Sequence, residues 1–162
     1  MMTRCTSILF LLLALAACGL PRDSDGTLDR VRGGTMRVGV VIDTPWTKDS
    51  AGVIGGVESG MARELAANLG ARIEWIRAPE GQLLAALQDR ELDLVIGGLR
   101  ASSPWKQQVA FTRPFYVDTL RPRKDEHVLA VAPGENAFLM RVESMLIARQ
   151  AEVPTLLKRS GQ

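Results

Sequence analysis

The sequence predicts an α/β fold, a three-layer sandwich with helices on both faces of a mainly parallel sheet. Strand-like and helix-like runs alternate along the chain, which is typical of right-handed crossovers between parallel strands. The chain has 162 residues, 46% of them hydrophobic, and this length suits one domain of ordinary size. We therefore expect a single α/β lobe and not a two-domain enzyme.

The first strand and the first helix are predicted by two different periodicities. Residues 36–42 form a β-branched run that stops at Asp43, as expected of a short buried strand. Apolar side chains then recur every three to four positions over residues 57–69, and Gly70 follows as a favourable C-terminal cap. The Gly-rich residues 52–56 lack the Gly-Lys-Ser/Thr ending of a phosphate loop and are interpreted as a flexible lead-in to this helix.

The alternation continues through the middle of the chain. Residues 72–76 alternate apolar and polar side chains as a second strand, and residues 83–87 form a short apolar helix. Residues 93–96 form a third strand, which ends at a pair of glycines. Strand, helix, strand, helix and strand at this spacing predict a parallel sheet covered by helices.

The C-terminal part predicts an edge strand, a further strand and a terminal helix. Pro114 interrupts the edge strand expected over residues 111–116, because proline cannot donate a hydrogen bond to a neighbouring strand. A strand is predicted over residues 128–132 and an amphipathic helix over residues 137–149. We expect residues 153–162 to be a frayed C-terminal tail.

Residues 1–17 are typical of an export signal. One arginine precedes an apolar run at residues 8–17, which ends in small side chains directly before Cys18. The run is about ten residues long, whereas a helix that spans a bilayer needs roughly 20. Residues 15–18 also resemble a bacterial lipobox, whose cysteine is lipidated. The alternative is an ordinary signal peptide with a chance cysteine near its end.

Lipidation of Cys18 predicts a protein attached to the exported side of a bacterial membrane. Cys5 would leave with the signal, so the remaining thiol carries lipid and no internal disulfide or cysteine metal site is expected. Residues 18–34 are interpreted as a lipidated tether and residues 35–152 as the folded lobe. Gly19 follows the cysteine, which leaves both the inner and the outer membrane open as destinations.

Charge and motifs argue against several classes of function. The net charge of +2 is too slight to indicate a nucleic-acid partner. His127, the single histidine, follows a charged stretch and is expected to be a solvated loop residue and not a general base. Ser102 and Ser103 have no visible basic partner. We therefore expect no catalysis, no cofactor and no metal.

Three loops are predicted to share the carboxyl edge of the sheet, where parallel sheets bind ligands. They are residues 43–46, 97–106 and 112–116. Together they supply indoles, hydroxyls, backbone N–H groups and cations, a set suited to a small polar or anionic ligand with an apolar part. Trp46 and Trp105 each lie near a proline in a polar loop, which favours exposure over burial in the core.

Several stretches follow the pattern of a known family. Residues 28–40 resemble its turn-rich opening and first strand, and residues 56–70 its Gly-aromatic-acid helix that ends in Leu-Gly. Residues 83–98 are the most specific stretch, and residues 109–116 resemble the closing hydrophobic-Phe-Ser/Thr-x-Pro-aromatic motif. Residues 28–116 thus resemble lobe 1 of the family 3 periplasmic solute-binding proteins, the extracytoplasmic receptors of polar amino-acid ABC transporters.

The resemblance implies a non-catalytic lobe that binds a small polar solute, such as an amino acid, for an ABC permease. In this interpretation Trp46 and Trp105 stack on the solute, Ser102 and the Gly98 loop donate or accept hydrogen bonds, and Lys106 attracts an anion. Glu58 either faces a ligand ammonium or only places a favourable charge at a helix N-terminus. The predicted contacts are Trp46, Glu58, Gly98, Ser102, Trp105 and Lys106.

The sequence departs from the family pattern in two respects. Residues 117–126 stand where the family inserts a second lobe, and residues 127–136 already resemble the returning strand and helix, so half of the binding cleft is expected. The position of the family's carboxylate-binding arginine holds Trp105, with Lys106 next to it, and lysine does not replace a planar arginine fork. Gly60 stands where a second acidic residue is usual.

Other functions stay open on the sequence alone. A lone lobe is also suited to an interaction or sensory module that docks on a membrane complex or on a second copy of itself. Some members of this fold are dehydratases, although no catalytic set is visible here. The chain is also compatible with a degenerate product of an internal deletion.

Overall fold

The computed structural model describes residues 22–118 and 125–160, and these residues form an α/β lobe. The strands in chain order are β1 (Thr35–Val40), β2 (Lys48–Ser50), β3 (Val53–Gly55), β4 (Arg72–Arg77), β5 (Leu94–Ile96), β6 (Ala110–Phe111), β7 (Tyr116–Asp118), β8 (Asp125–His127) and β9 (Ala130–Val131). The helices are α1 (Thr27–Val31), α2 (Val57–Leu69), α3 (Glu80–Gln88), α4 (Asn136–Arg149) and α5 (Val153–Ser160).

The central sheet has five strands in the order β4-β1-β5-β9-β6. β1 runs parallel to both β4 and β5, whereas β9 is antiparallel to β5 and to β6. The helices α2 and α3 supply the crossovers that parallel neighbours require. The predicted α/β class with a mainly parallel sheet is therefore confirmed.

Alternate side chains of the strands enter two hydrophobic cores. Val38 of β1 belongs to the core that also contains side chains of α2 and α4, while Val95 of β5 belongs to the core with α3. Gly39, between these positions on β1, has no room for a side chain: a Cβ there would lie 2.8 Å from Leu92 and 3.0 Å from Leu83. The period-2 alternation of a strand thus produces a layer on each face of the sheet.

The N-terminal segment is more ordered than the sequence predicts. Residues 18–34 are expected to be a tether, but Thr27–Val31 forms α1, and Val31 is fully buried against the main core. Asp23 stabilises two helix starts at once, because its carboxylate accepts hydrogen bonds from Leu28 N at 2.7 Å and Phe138 N at 2.9 Å. The tether interpretation is therefore wrong for the part of this segment that packs on the lobe.

Glu135 fixes the same segment from the other side. Its buried carboxylate accepts hydrogen bonds from Ser24 Oγ, Asp25 N and Thr27 N, each at 2.9 Å, and pairs with Arg90 at 3.0 Å. Burial alone would raise the pKa of Glu135, but these hydrogen bonds outweigh burial and lower the pKa to about 2. We call Ser24, Asp25, Thr27, Arg90 and Glu135 the N-terminal latch.

The C-terminal tail is also folded where the structure describes it. Val153–Ser160 forms α5, and Val153 is fully buried. The expected frayed tail is therefore wrong for these residues. The apolar side chains of α5 pack on the main core, but the helix is too short for them to show a clear period in the sequence. The predicted Gly-rich lead-in is likewise wrong, since β2 and β3 form a hairpin there.

Pro114 divides the predicted edge strand into β6 and β7. β7 then pairs with β8 in an antiparallel hairpin, in which Tyr116 lies opposite His127 and Asp118 lies opposite Asp125. The strand predicted over residues 128–132 is shorter, because only Ala130–Val131 pairs with the sheet as β9. No helix in residues 22–118 and 125–160 is long and apolar enough to cross a bilayer. The predicted signal and Cys18 lie outside these residues.

Candidate functional site

A cavity of about 150 Å³ lies at the carboxyl end of β1, the edge at which the sequence predicts a site. The loop after β1, the β7–β8 hairpin and α5 surround it. Its lining residues are Asp43, Thr44, Pro45, Trp46, Arg100, Tyr116, Asp118, His127 and Leu157.

The loop after β1 is held in a tight turn. Thr47 N donates to Asp43 O at 2.9 Å, and Asp43 N donates to Thr47 Oγ1 at 3.0 Å. The carbonyl of Trp46 then accepts from Glu58 N at 2.9 Å, in the first turn of α2. Because the loop supplies acceptors for otherwise unpaired N–H groups of the helix, loop and helix fix each other's position.

Trp46 is buried in an aromatic cluster and is only 6% exposed. Its ring centroid lies 4.0 Å from His127, 5.5 Å from Tyr116 and 5.9 Å from Phe115, the last in an edge-to-face arrangement. The predicted exposure of Trp46 is therefore wrong, because the tight turn directs the indole against partners that are distant in sequence. A remaining part of the ring lines the cavity.

His127 is not the solvated loop residue that the sequence predicts. It ends β8 and is 2% exposed, with its ring packed against those of Trp46 and Tyr116. The charged stretch before it concealed this burial. His127 thus contributes an aromatic face to the wall of the cavity.

Glu58 lies at the start of α2 with no exposed surface. Its Oε2 accepts a hydrogen bond from Gly97 N at 2.6 Å, and Gly98 N donates to the same carboxylate at 3.2 Å. Burial raises the pKa of Glu58 from 4.5 to about 7, the two N–H groups oppose this rise, and the negative charge of Asp43 adds to it. Glu58 therefore faces the backbone and not a solute, which corrects the first interpretation of this residue.

Gly98 brings this backbone close to the cavity. It has a φ of 69°, and a Cβ there would collide with the Asp43 carboxylate and lie 3.0 Å from Trp46 Cδ1. Only glycine combines this left-handed conformation with such a close approach. Glu58, through Gly98, thus positions two residues that line the cavity.

The described residues that line the cavity carry charges of both signs. Asp43 and Asp118 line it, and Arg100 is the basic residue among the described lining residues. Arg100 forms an ion pair with Asp125 on β8, which offsets its charge. The cavity thus combines aromatic side chains with charged groups, a lining that offers both stacking and polar contacts.

Of the six predicted contacts, only Trp46 lines the cavity, and Glu58 and Gly98 lie behind its wall. The other three lie elsewhere. Ser102 and Lys106 are exposed, and Trp105 is half-buried, with its side chain packed against the core that contains α3. The short helical turn Pro104–Gln107, capped by Ser103, carries this segment away from the β1 loop. The predicted role of Lys106 therefore has no counterpart at the cavity.

Sequence reasoning missed several residues that line the cavity. Asp43 and Tyr116 lie inside the predicted loops but were not selected. Arg100 lies inside the predicted loop 97–106 but is not among the predicted contacts. Asp118 and Leu157 had no local signal, because their placement depends on the β7–β8 hairpin and on α5.

Comparisons with known proteins identify the family of this chain. The sequence model of the bacterial extracellular solute-binding proteins, family 3, matches residues 36–152. A search among curated proteins finds no match.

Solved structures share the fold. The arginine-bound form of domain 1 from TmArgBP is 24% identical, with a TM-score of 0.66, over 74% of this chain and 97% of that chain. An ancestral cationic amino acid solute-binding protein is 16% identical, with a TM-score of 0.72, over 84% and 100%. An amino acid ABC transporter substrate-binding protein from Streptococcus pneumoniae, bound to L-arginine, is 12% identical, with a TM-score of 0.71, over 82% and 97%.

The matched residues begin within β1, include the turn at Gly97 and Gly98, and end at Glu152, three residues after α4. The match covers well over half of the chain, and the architecture is that of one lobe of a periplasmic binding protein. The chain therefore belongs to the bacterial extracellular solute-binding proteins of family 3.

Proposed function

We propose that the protein is a lipid-anchored, non-catalytic solute-binding lobe that binds a small amino acid with a cationic side chain for an ABC-type uptake system. The observation that carries this proposal is the cavity at the carboxyl end of β1, where aromatic rings adjoin carboxylates. The solute that fits such a wall has a positively charged head.

The chemistry of the wall supports this choice. Trp46 and Tyr116 offer ring faces, which attract an ammonium or guanidinium group through the ring quadrupole. The Asp43 carboxylate adds a charge-assisted acceptor, whose hydrogen bonds are about twice as strong as those between neutral groups. An acidic solute meets repulsion from the same carboxylate.

The structural relatives support the same class of solute. Domain 1 from TmArgBP is described in an arginine-bound form, so in that protein a single domain holds arginine. Two other relatives are named for cationic amino acid binding or for bound L-arginine. A lone lobe of this fold is therefore a reasonable binding unit, with weaker affinity than a closed pair of lobes because water reaches the solute.

The non-catalytic part of the proposal rests on the same groups. The carboxylate of Glu58 is occupied by Gly97 N and Gly98 N, and His127 is buried against Trp46. Glu58 therefore does not reach an incoming solute, and we assign His127 the role of a packed ring in the cavity wall. Membrane attachment rests on Cys18, and loss of radiolabelled palmitate from a Cys18→Ala variant in bacterial cells tests it.

Solute binding is tested by calorimetry on the purified protein with arginine and glutamate. We expect arginine to bind and glutamate to give no heat. Asp43→Asn, which keeps the shape of the side chain but removes its charge, should weaken arginine binding by about tenfold, as expected of one charge-assisted contact.

Asp49→Asn is the matched control. Asp49 lies in the β2–β3 hairpin, pairs there with Arg77 at 2.7 Å and does not line the cavity. This variant should bind arginine as the wild type does. Equal binding of arginine and glutamate, or equal losses in the two variants, would contradict the proposed cationic preference.

A further inference from the structure

We propose that α5 forms a wall of the solute cavity and that Leu157 packs on the apolar stem of the solute, where it excludes water from that side. This inference rests on the proposed function for the identity of the solute. The position of the wall itself rests on the structure of the chain.

The cavity has little aliphatic surface without α5. Most of its described lining residues are aromatic or polar, and Leu157 supplies the leucine side chain among them. An aliphatic side chain on an otherwise polar rim displaces water from that side, and a drier site strengthens each polar contact with the solute. Leu157 thus performs part of what closure of two lobes performs.

α5 is fixed firmly enough to act as a wall. Val153, its first residue, has no exposed surface and belongs to the main core. Just before it, Arg149 joins Glu64 of α2 at 2.7 Å and Glu152 at 2.6 Å. These contacts hold the helix start against α2, the same helix whose first residues contact the Trp46 loop.

The two leucines of α5 line different cavities. Leu157 lines the solute cavity, whereas Leu156 lines a separate groove of about 250 Å³ between α2 and α5. Both side chains are half-buried and pack against the main core. Because they share residue type, burial and helix, Leu156 is a matched control for Leu157.

The first test measures the affinity for arginine by calorimetry. Leu157→Ala should weaken arginine binding by about tenfold, while Leu156→Ala should leave it within about twofold of the wild type. Leu157→Met, which conserves volume and apolar character, should restore binding. Equal losses in the two alanine variants, or no loss in Leu157→Ala, would overturn the role of Leu157.

The second test follows the wall without any solute. Replacement of Trp75 and Trp105 by Phe leaves Trp46 as the single tryptophan of the protein. Acrylamide should then quench Trp46 fluorescence more strongly in the Leu157→Ala variant than in the wild type. In the Leu156→Ala variant, the quenching should equal that of the wild type. If the quenching does not differ, α5 is not a wall of this cavity.

The two tests separate the two proposals. If wild-type protein binds no arginine while quenching of Trp46 still depends on Leu157, the wall stands and the proposed solute fails. If arginine binds but neither binding nor quenching depends on Leu157, the solute stands and the wall fails. Thermal unfolding of each variant confirms that the compared proteins are folded.

Discussion

Two buried glutamates, at opposite ends of the strands of the central sheet, have pKa values that are shifted in opposite directions. Glu58 lies beside the carboxyl end of β1 and has a pKa of about 7. Glu135 follows the antiparallel strand β9, at the opposite end of the sheet, and has a pKa of about 2. Both are almost inaccessible to solvent, with exposed fractions of 0% and 1%. Burial alone therefore does not decide the charge of a buried carboxyl group.

The difference lies in the neighbours of each carboxylate. Glu135 accepts three hydrogen bonds at 2.9 Å, from Ser24 Oγ, Asp25 N and Thr27 N, and hydrogen bonds from these residues outweigh desolvation and lower its pKa. Glu58 has only the N–H groups of Gly97 and Gly98, and the carboxylate of Asp43 opposes its ionisation. Glu135 in the N-terminal latch is therefore fully ionised at neutral pH. Glu58, which holds the backbone beside the cavity, has a pKa close to neutral pH.

The largest expected effect is the loss of the Glu135 carboxylate. Glu135→Ala removes a buried, charged acceptor: the buried Thr27 N loses its partner, and the exposed Ser24, Asp25 and Arg90 each lose one contact. The combined loss of these charge-assisted hydrogen bonds costs about 3–5 kcal/mol. Urea unfolding at pH 7 measures this loss in the free energy of unfolding. Glu91→Ala, an exposed neighbour of Arg90, is the control and should change stability by less than about 0.5 kcal/mol. Similar values for the two variants would contradict the latch.

A second prediction concerns the pH dependence caused by Glu58. Its folded pKa is raised above the unfolded value, so the folded state holds the proton more tightly and stability falls as pH rises from 4.5 to about 7. At about 1.4 kcal/mol per pH unit, the fall is about 3 kcal/mol. The difference in urea stability between wild type and Glu58→Gln, measured across this range, should show it.

Glu135 provides the opposite sign within the same molecule. Its folded pKa is lowered, so its contribution is complete above the unfolded pKa of 4.5 and is lost as pH falls towards 2. The wild type should therefore lose stability relative to Glu135→Gln only on the acid side. A fall with rising pH in this difference, or a flat Glu58 profile, would remove the contrast between the two glutamates.

The smallest expected effect compares two glycines with nearly the same backbone. Gly98 at the site edge has a φ of 69°, and Gly26 beside the latch has a φ of 66°. Nothing lies within 4 Å of a Cβ built on Gly26, whereas one on Gly98 meets Asp43 and Trp46. Gly26→Ala should cost about 1 kcal/mol of stability through backbone strain alone, and Gly98→Ala about 2–3 kcal/mol.

Equal costs would mean that the close approach at Gly98 carries no energy. The same pair also bears on function, because only Gly98 adjoins residues that line the cavity. Gly98→Ala should therefore weaken arginine binding in calorimetry, while Gly26→Ala should leave it unchanged.

The parallel half of the fold was predictable because its signals are local. The β-branched run of β1 and the period of α2 are each contained in a few consecutive residues, and both elements lie where those patterns predict them. The rule that parallel sheets bind ligands at their carboxyl edge also located the β1 loop without any contact information.

The rest depended on contacts between residues far apart in sequence. No local pattern in the sequence marks Asp23, yet its carboxylate accepts a hydrogen bond from Phe138 N, 115 residues away. The burial of Trp46 follows from rings at Tyr116 and His127, and no single stretch of sequence records that stacking. Leu157 reaches the cavity only because α5 folds back onto α2.

The β7–β8 hairpin is a position at which a further domain can be inserted into the lobe. Asp118 and Asp125 are cross-strand partners in this separate two-stranded sheet, so these two positions of the chain lie side by side. A guest domain whose two ends are close together fits such a junction without altering the register of the host strands. Evolution and protein engineering can therefore lengthen or shorten this gene at one point while the sheet keeps its architecture.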